Sequence, residues 1–209
     1  MPRCKGLSEQ MRDESRGRIR EAARKVFAGE GYFKAKAADL ARAAGMSQGN
    51  LYWYFDSKED VLKAILAEGF TALHALTAEI AALPGTGREK IEALIERTWE
   101  LYRRQSEFTA ILGSLLAHGG APFIKELGFD MLALGTGFNL NLSAVFKQAR
   151  AKGILPDVEP NMLVVLYYAL FNGLVITFPD LWPTMDISFV REAVLRLLGY
   201  REPADKEPR

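Results

Sequence analysis

The 209-residue sequence is long enough for one core with a small appended module. Its 49% hydrophobic and 25% charged residues are ordinary globular usage, which excludes a disordered chain. Lys and Arg (27) nearly balance Asp and Glu (26), yet residues 1–63 hold 13 basic and 9 acidic side chains and residues 64–209 hold 14 and 17, so a basic front precedes an acidic body.

Residues 1–14 read as a charged, mobile arm. The single cysteine, Cys4, rules out a disulfide framework or a Cys-rich zinc site and suits a reducing compartment. No secretory succession of charged, apolar and small residues opens the chain, so a cytoplasmic location is expected. Apolar residues then recur with a 3.6-residue period and no long run alternates with period two, which predicts an all-α fold. The first helix is placed over about Ser15–Ala28, burying Ile19, Ala22, Ala23, Val26 and Phe27, with Gly29 and Gly31 as its stop.

Ala37 to Tyr54, AADLARAAGMSQGNLYWY, has the spacing of a helix-turn-helix. Ala41 is the small contact between two crossing helices and Gly45 the turn. Leu40, Ala44, Met46 and Leu51 are the anchors, and Ser47 is the N-cap of the second helix. The exposed chemistry suits a nucleic acid. Gln48 and Asn50 can pair bidentately with an adenine edge in the major groove. Lys36, Ser47, Tyr52, Trp53, Tyr54 and Lys58 complete a set of candidate DNA contacts, the hydroxyls and ammonium groups facing phosphates. A helical hairpin inside a core has the same apolar spacing but does not need these polar groups exposed together.

Further along, Ser57-Lys58-Glu59-Asp60 caps a helix running to about Leu83, and Thr86 with Glu89 has capping-box spacing. A short helix from Ser106 ends at His118-Gly119-Gly120, and one long helix is expected over Pro122–Lys152. Asp157–Pro160 opens the next helix, whose stretch from Met162 to Phe178 has no charge. That run is at the lower limit for a bilayer span, and its Glu159 and Asp180 flanks and central Asn172-Gly173 favour a buried helix. A break at Pro179–Pro183 precedes a last helix over Asp186–Leu198, and residues 201–209 read as a mobile tail.

The pattern Ile19…Ala22-Ala23…Phe27…Gly31-Tyr32…Asp39-Leu40-Ala41…Ala44-Gly45-Met46-Ser47…Gly49-Asn50-Leu51-Tyr52-Trp53-Tyr54-Phe55…Ser57-Lys58-Glu59…Leu62 closely resembles the N-terminal DNA-binding domain of the TetR/AcrR repressors. The resemblance implies a three-helix DNA-binding domain over residues 15–62, then a helical ligand-binding and dimerisation domain over 63–200. Two positions depart from it. Ala35-Lys36 stands where the family places Thr and then Ser or Thr, and Tyr54 stands where it favours His. The side-chain cap is thereby lost from the second helix, with Lys36 left as a point charge for phosphate.

The implied function is a homodimeric, ligand-responsive repressor that binds a palindromic double-stranded DNA operator and is released by a small apolar or aromatic effector. Candidate pocket residues are Phe70, Trp99, Tyr102, Phe108, Phe138, Asn139 and Tyr167, an aromatic set with few polar groups. Candidate interface residues on the last two helices are Tyr168, Phe171, Phe189, Val190 and Val194, and the uncharged run is explained by one face on its own core and another on a partner. No metal, cofactor or membrane is expected. Two other classes stay open at this point. A helical carrier of lipophilic molecules fits the body without needing the exposed Gln48, Asn50, Tyr52 and Lys58. An all-helical enzyme lacks a Gly-x-Ser-x-Gly elbow around Ser114 and a His-Glu-x-x-His spacing for its two histidines, His74 and His118.

Overall fold

Ten α-helices follow one another in the computed structural model, which describes residues 3–129, 131–178 and 181–200, with no strand among them. They form two compact units. The first comprises Met1–Gly69 with Glu107–Asp130, the second Phe70–Ser106 with Met131–Arg209. The expected division at residue 62/63 is thus displaced to 69/70, and the segment 107–130, expected in the body, groups with the head.

In the first unit, α1 (Arg3–Glu30) buries Ile19, Ala23 and Phe27, residues four apart on one face. The helix begins at Arg3, twelve residues before the expected start at Ser15, so residues 3–14 are helical where an arm was expected. It ends at Gly31, whose φ of 83° lets the chain turn. Next come α2 (Ala37–Ala43), α3 (Gln48–Tyr54) and the start of α4 (Lys58–Ala82), with Leu40, Leu51, Leu62 and Ile65 fully buried. Glu68 on α4 accepts from Arg20 (2.6 Å) and from Arg24, tying α4 to α1.

Helices α6 (Ser106–His118) and α7 (Gly120–Glu126) belong to the same unit. Phe123 packs on Tyr32 and Phe33, with ring centroids 5.8 and 5.2 Å away. The single helix expected over Pro122–Lys152 is in fact two. Gly128 takes φ of 94°, its N–H bonds the Lys125 carbonyl and the Phe129 N–H bonds the Ile124 carbonyl, a paired closure that ends α7.

The second unit holds the end of α4 with α5 (Gly87–Arg104), α8 (Met131–Ala151), α9 (Pro160–Thr177) and α10 (Ile187–Leu197), plus a short turn of tighter helix over Trp182–Thr184. The capping box read from sequence at Thr86 is present, and Asp186, read as the start of the last helix, is its cap. The Thr86 N–H donates to the Glu89 carboxylate at 2.7 Å while the Glu89 N–H returns to the Thr86 hydroxyl, and Asp186 accepts from the Ser188 and Phe189 amides. Ile95, Trp99, Phe146, Val164, Tyr167, Phe171 and Trp182 share one core, in which the Trp99 and Trp182 rings meet edge to face at 5.2 Å. Gly87 lets α5 approach α8 closely, because a Cβ there would stand 2.7 Å from the Ala149 Cα.

Helices α4 and α9 are each long and apolar enough to cross a membrane, by length and composition. α9 has two apolar faces. Leu163, Val164, Tyr167, Phe171 and Val175 are buried in its own core, while Met162, Val165, Leu166, Ala169 and Ile176 form a second stripe, exposed at i, i+3, i+4, i+7 and i+14.

Candidate nucleic-acid interface

The turn between α2 and α3 is built from backbone hydrogen bonds that only certain residues permit. Gly45, at φ of 70°, donates to the Arg42 carbonyl (3.1 Å), and Met46 donates to the Ala41 carbonyl (2.9 Å). This crossed pair satisfies the last carbonyls of α2 and turns the chain sharply. Ser47 then accepts the Asn50 N–H on its Oγ at 3.1 Å and starts α3. At the other end of α2 the Lys36 side chain makes no cap, as expected, but the Asp39 carboxylate accepts the Lys36 N–H at 3.0 Å. Half of the capping function therefore survives from the opposite partner.

Leu51 is the single buried residue of α3, so the rest of this short helix is presented outward or half-buried. Gln48 and Asn50 are exposed in its first turn, and the Gln48 amide lies 3.5 Å from the Tyr52 hydroxyl one turn later. Tyr52 and Trp53 are 45% and 65% exposed, unusually high for aromatic side chains, while Tyr54 is half-buried with its ring edge-on to Trp53. Lys36, Ser47, Gln48, Asn50, Tyr52 and Trp53 are thus all exposed.

Lys58 is not. Its ammonium donates to the carbonyls of Tyr32 and Ala35, both at 3.0 Å, and lies 4.2 Å from the Tyr32 ring centroid. Expected at a phosphate, Lys58 in this structure staples the loop between α1 and α2 to the start of α4. Beside it the Tyr32 hydroxyl donates to Glu59 at 2.7 Å. That bond holds the Glu59 carboxyl below its usual pKa, and burial first, then Glu59, pushes the Tyr32 hydroxyl well above its own.

Two residues that the sequence reading passed over also touch α3. Arg16 donates to the Tyr54 carbonyl and stacks over Phe55 at 4.1 Å, and Arg12 lies over the Trp53 ring. Their spacing of four on α1 was the available signal.

A family model described as "Bacterial regulatory proteins, tetR family" matches residues 19–65, which contain this whole helix-turn-helix. The HTH-type transcriptional regulator SrpR of Pseudomonas putida is 39% identical over 169 residues, 78% of this chain and 74% of SrpR. The chain belongs to the TetR family. It is a DNA-binding transcriptional regulator by that membership. The repressor NicS of Pseudomonas putida is 26% identical over 152 residues, covering 73% of this chain and 71% of NicS. Among solved structures, FadR of Bacillus subtilis, in complex with stearoyl-CoA, superposes with a TM-score of 0.69 at 21% identity over 87% of this chain and 96% of its own. These likenesses extend the TetR-family fold through the body.

The body's candidate residues fare unevenly. Tyr167 is wholly buried, its hydroxyl 2.7 Å from the Thr98 Oγ1 and 3.2 Å from the Leu94 carbonyl, and Tyr102 donates to the Asn172 Oδ1 at 2.9 Å. Phe70 and Phe108 are buried, Phe108 within the first unit against Gly69, and Asn139 is half-buried. The Phe138 side chain lies outside the described residues. Of the candidates, Trp99 alone borders the described cleft of about 550 Å³, whose walls are otherwise largely polar, with Glu96, Glu100, Arg103 and Asp186. The interface candidates need a larger correction. Phe171, Val190 and Val194 are buried in their own core and Tyr168 is half-buried, leaving Phe189, 64% exposed, facing outward. The outward apolar residues are instead Met162, Val165, Leu166, Ala169 and Ile176 of α9 with Phe189 and Leu197 of α10.

Proposed function

We propose that the chain acts as a homodimeric repressor in the cytoplasm, binding a palindromic operator and released from it by a small, largely apolar effector. The observation that carries the reading is α3 itself, which buries Leu51 and exposes Gln48, Asn50, Tyr52 and Trp53 around it. A helix of this size enters the major groove, with its first-turn residues nearest the base edges. Gln48 and Asn50 read bases, while Ser47, Tyr52 and Lys36 contact phosphates. Two such helices are needed, because half-sites lie about 34 Å apart, one turn of duplex.

The outer stripes of α9 and α10 supply the dimer contact. An exposed row of apolar residues against a second copy accounts for a helix apolar on two faces better than lipid does, since its other face is already committed to a protein core. Support for an apolar effector comes from the many aromatic side chains of the body and from FadR of Bacillus subtilis, which was solved with an acyl-CoA. Helix α4 contributes residues to both units and is a covalent route by which effector and operator affinities become coupled.

Selection from a random duplex pool tests the reading. The recovered sites should be palindromic, Asn50→Ala and Gln48→Ala should each relax base preference by about 1–3 kcal/mol, and Val165→Asp should abolish the dimer. Recovery of no preferred sequence by the wild-type protein overturns it.

A further inference from the structure

Arg12 is a cation that the helix-turn-helix does not account for. It stands on α1 seven residues ahead of Ile19, where the match to the family model begins. Its guanidinium carbon lies 5.5 Å from the ring centroid of Trp53, the most exposed aromatic residue of α3. One turn later, Arg16 donates to the Tyr54 carbonyl and covers the Phe55 ring. The two arginines fasten one face of α1 to the C-terminal end of α3, but they are used differently. Arg16 is half-buried and its donor is given to backbone. Arg12 is exposed and has neither an ion pair nor a hydrogen bond among the described residues, although Asp13 and Glu14 follow it in sequence.

Cation–π attraction to an indole ring holds a guanidinium without consuming its N–H groups, which stay unspent. The platform also fixes the side chain in advance, so less rotamer freedom is lost when those donors meet an acceptor. The acceptor must come from whatever docks on α3, because Trp53 belongs to that helix. On the reading of α3 as a DNA reader, this acceptor is a phosphate oxygen, which a guanidinium fork matches bidentately.

We infer that Arg12, seated on Trp53, is a DNA-backbone contact outside the helix-turn-helix, which clamps the duplex at the C-terminal end of α3. It adds a sequence-independent anchor beyond the base-reading first turn and sets the register of the helix in the groove. The inference rests on the DNA-binding reading of the preceding section.

The test is a salt titration of binding to a mixed-sequence duplex of about three helical turns, with wild type, Arg12→Gln, Arg12→Lys and Trp53→Leu compared. Each lost phosphate contact lowers the slope of log affinity against log salt by about 0.9. Arg12→Gln should therefore bind more weakly at low salt with a slope shallower by about 0.9 per head. Between 50 and 200 mM salt its affinity should fall about 3.5-fold less than wild type per head, or about 12-fold less for two. Arg12→Lys should keep the slope, and Trp53→Leu should weaken binding while keeping it. Equal slopes and affinities for wild type and Arg12→Gln overturn the inference. A wild-type protein that binds no duplex at any salt overturns the DNA-binding reading on which it rests.

Discussion

Lys58→Met separates the role given by the tertiary structure from the one suggested by the sequence. Methionine keeps the unbranched apolar stem but removes the ammonium, and with it two hydrogen bonds of 3.0 Å to the Tyr32 and Ala35 carbonyls and the contact with the Tyr32 ring. Hydrogen bonds from a charged group contribute about 1.5–3 kcal/mol each. Lys58 is half-buried, so water can reach the released carbonyls, and each bond is reduced to about 1 kcal/mol, the value of an ordinary hydrogen bond. The ring contact adds about 0.5 kcal/mol at such a site. The expected loss is about 2.5 kcal/mol, which at about 2–4 °C per kcal/mol for a chain of this size lowers the melting temperature by about 5–10 °C. Thermal unfolding followed by circular dichroism measures it. A salt titration of DNA binding in the same samples, below the melting range, should give an unchanged slope. An unchanged melting temperature together with a shallower salt slope would refute the reasoning, since the ammonium would then be meeting phosphate rather than the α1–α2 loop.

Four further outcomes are expected. Trp99 and Trp182 are 3% and 2% exposed and Trp53 is 65% exposed, so iodide should quench about one third of the tryptophan emission, and saturating duplex should protect that fraction; quenching unaffected by DNA would place Trp53 away from the bound duplex. Gly87→Ala should destabilise the body by about 1–3 kcal/mol in urea titration, because the added Cβ meets the backbone and side chain of Ala149 at 2.7 and 2.8 Å; wild-type stability would mean that α5 and α8 are not in contact there. Tyr167→Phe should cost about 1–2 kcal/mol by the same measurement, since it leaves the buried Thr98 hydroxyl without its 2.7 Å partner. Below its ordinary pKa of 4.5, Glu59 takes up a proton more readily in the unfolded chain than in the folded one, so its contribution is full above that pH and is lost as pH falls; Glu59→Gln should flatten the acid limb of the stability profile, and an identical limb would remove the Tyr32 contact as its cause.

Local features were the legible ones. The caps at Ser47 and Thr86 and the turn at Gly45 each depend on residues within about four positions, so their spacing is visible in the chain. The break at Gly128 carried the same kind of signal and was overrun by the apolar periodicity on either side. Residues 3–14 read as an arm because they lack an apolar stripe; their helix continues α1 without needing one of its own. The outward side of α9 was not legible because a helix that is apolar on two faces has no polar side to orient it.

The sequence by itself determined an all-helical fold with a helix-turn-helix at residues 37–54, because Gly, Ser and small residues at fixed spacing leave the backbone few alternatives there. The DNA-reading function came from its resemblance to the TetR/AcrR repressors. Only the tertiary structure decided which cations of the basic front are free. Lys58 and Arg16 are spent on backbone carbonyls, while Arg12 and Lys36 remain exposed. Formal charge counts all four alike. A carbonyl acceptor brought close by folding has no residue code, so its claim on a lysine or arginine appears only when the helices are packed.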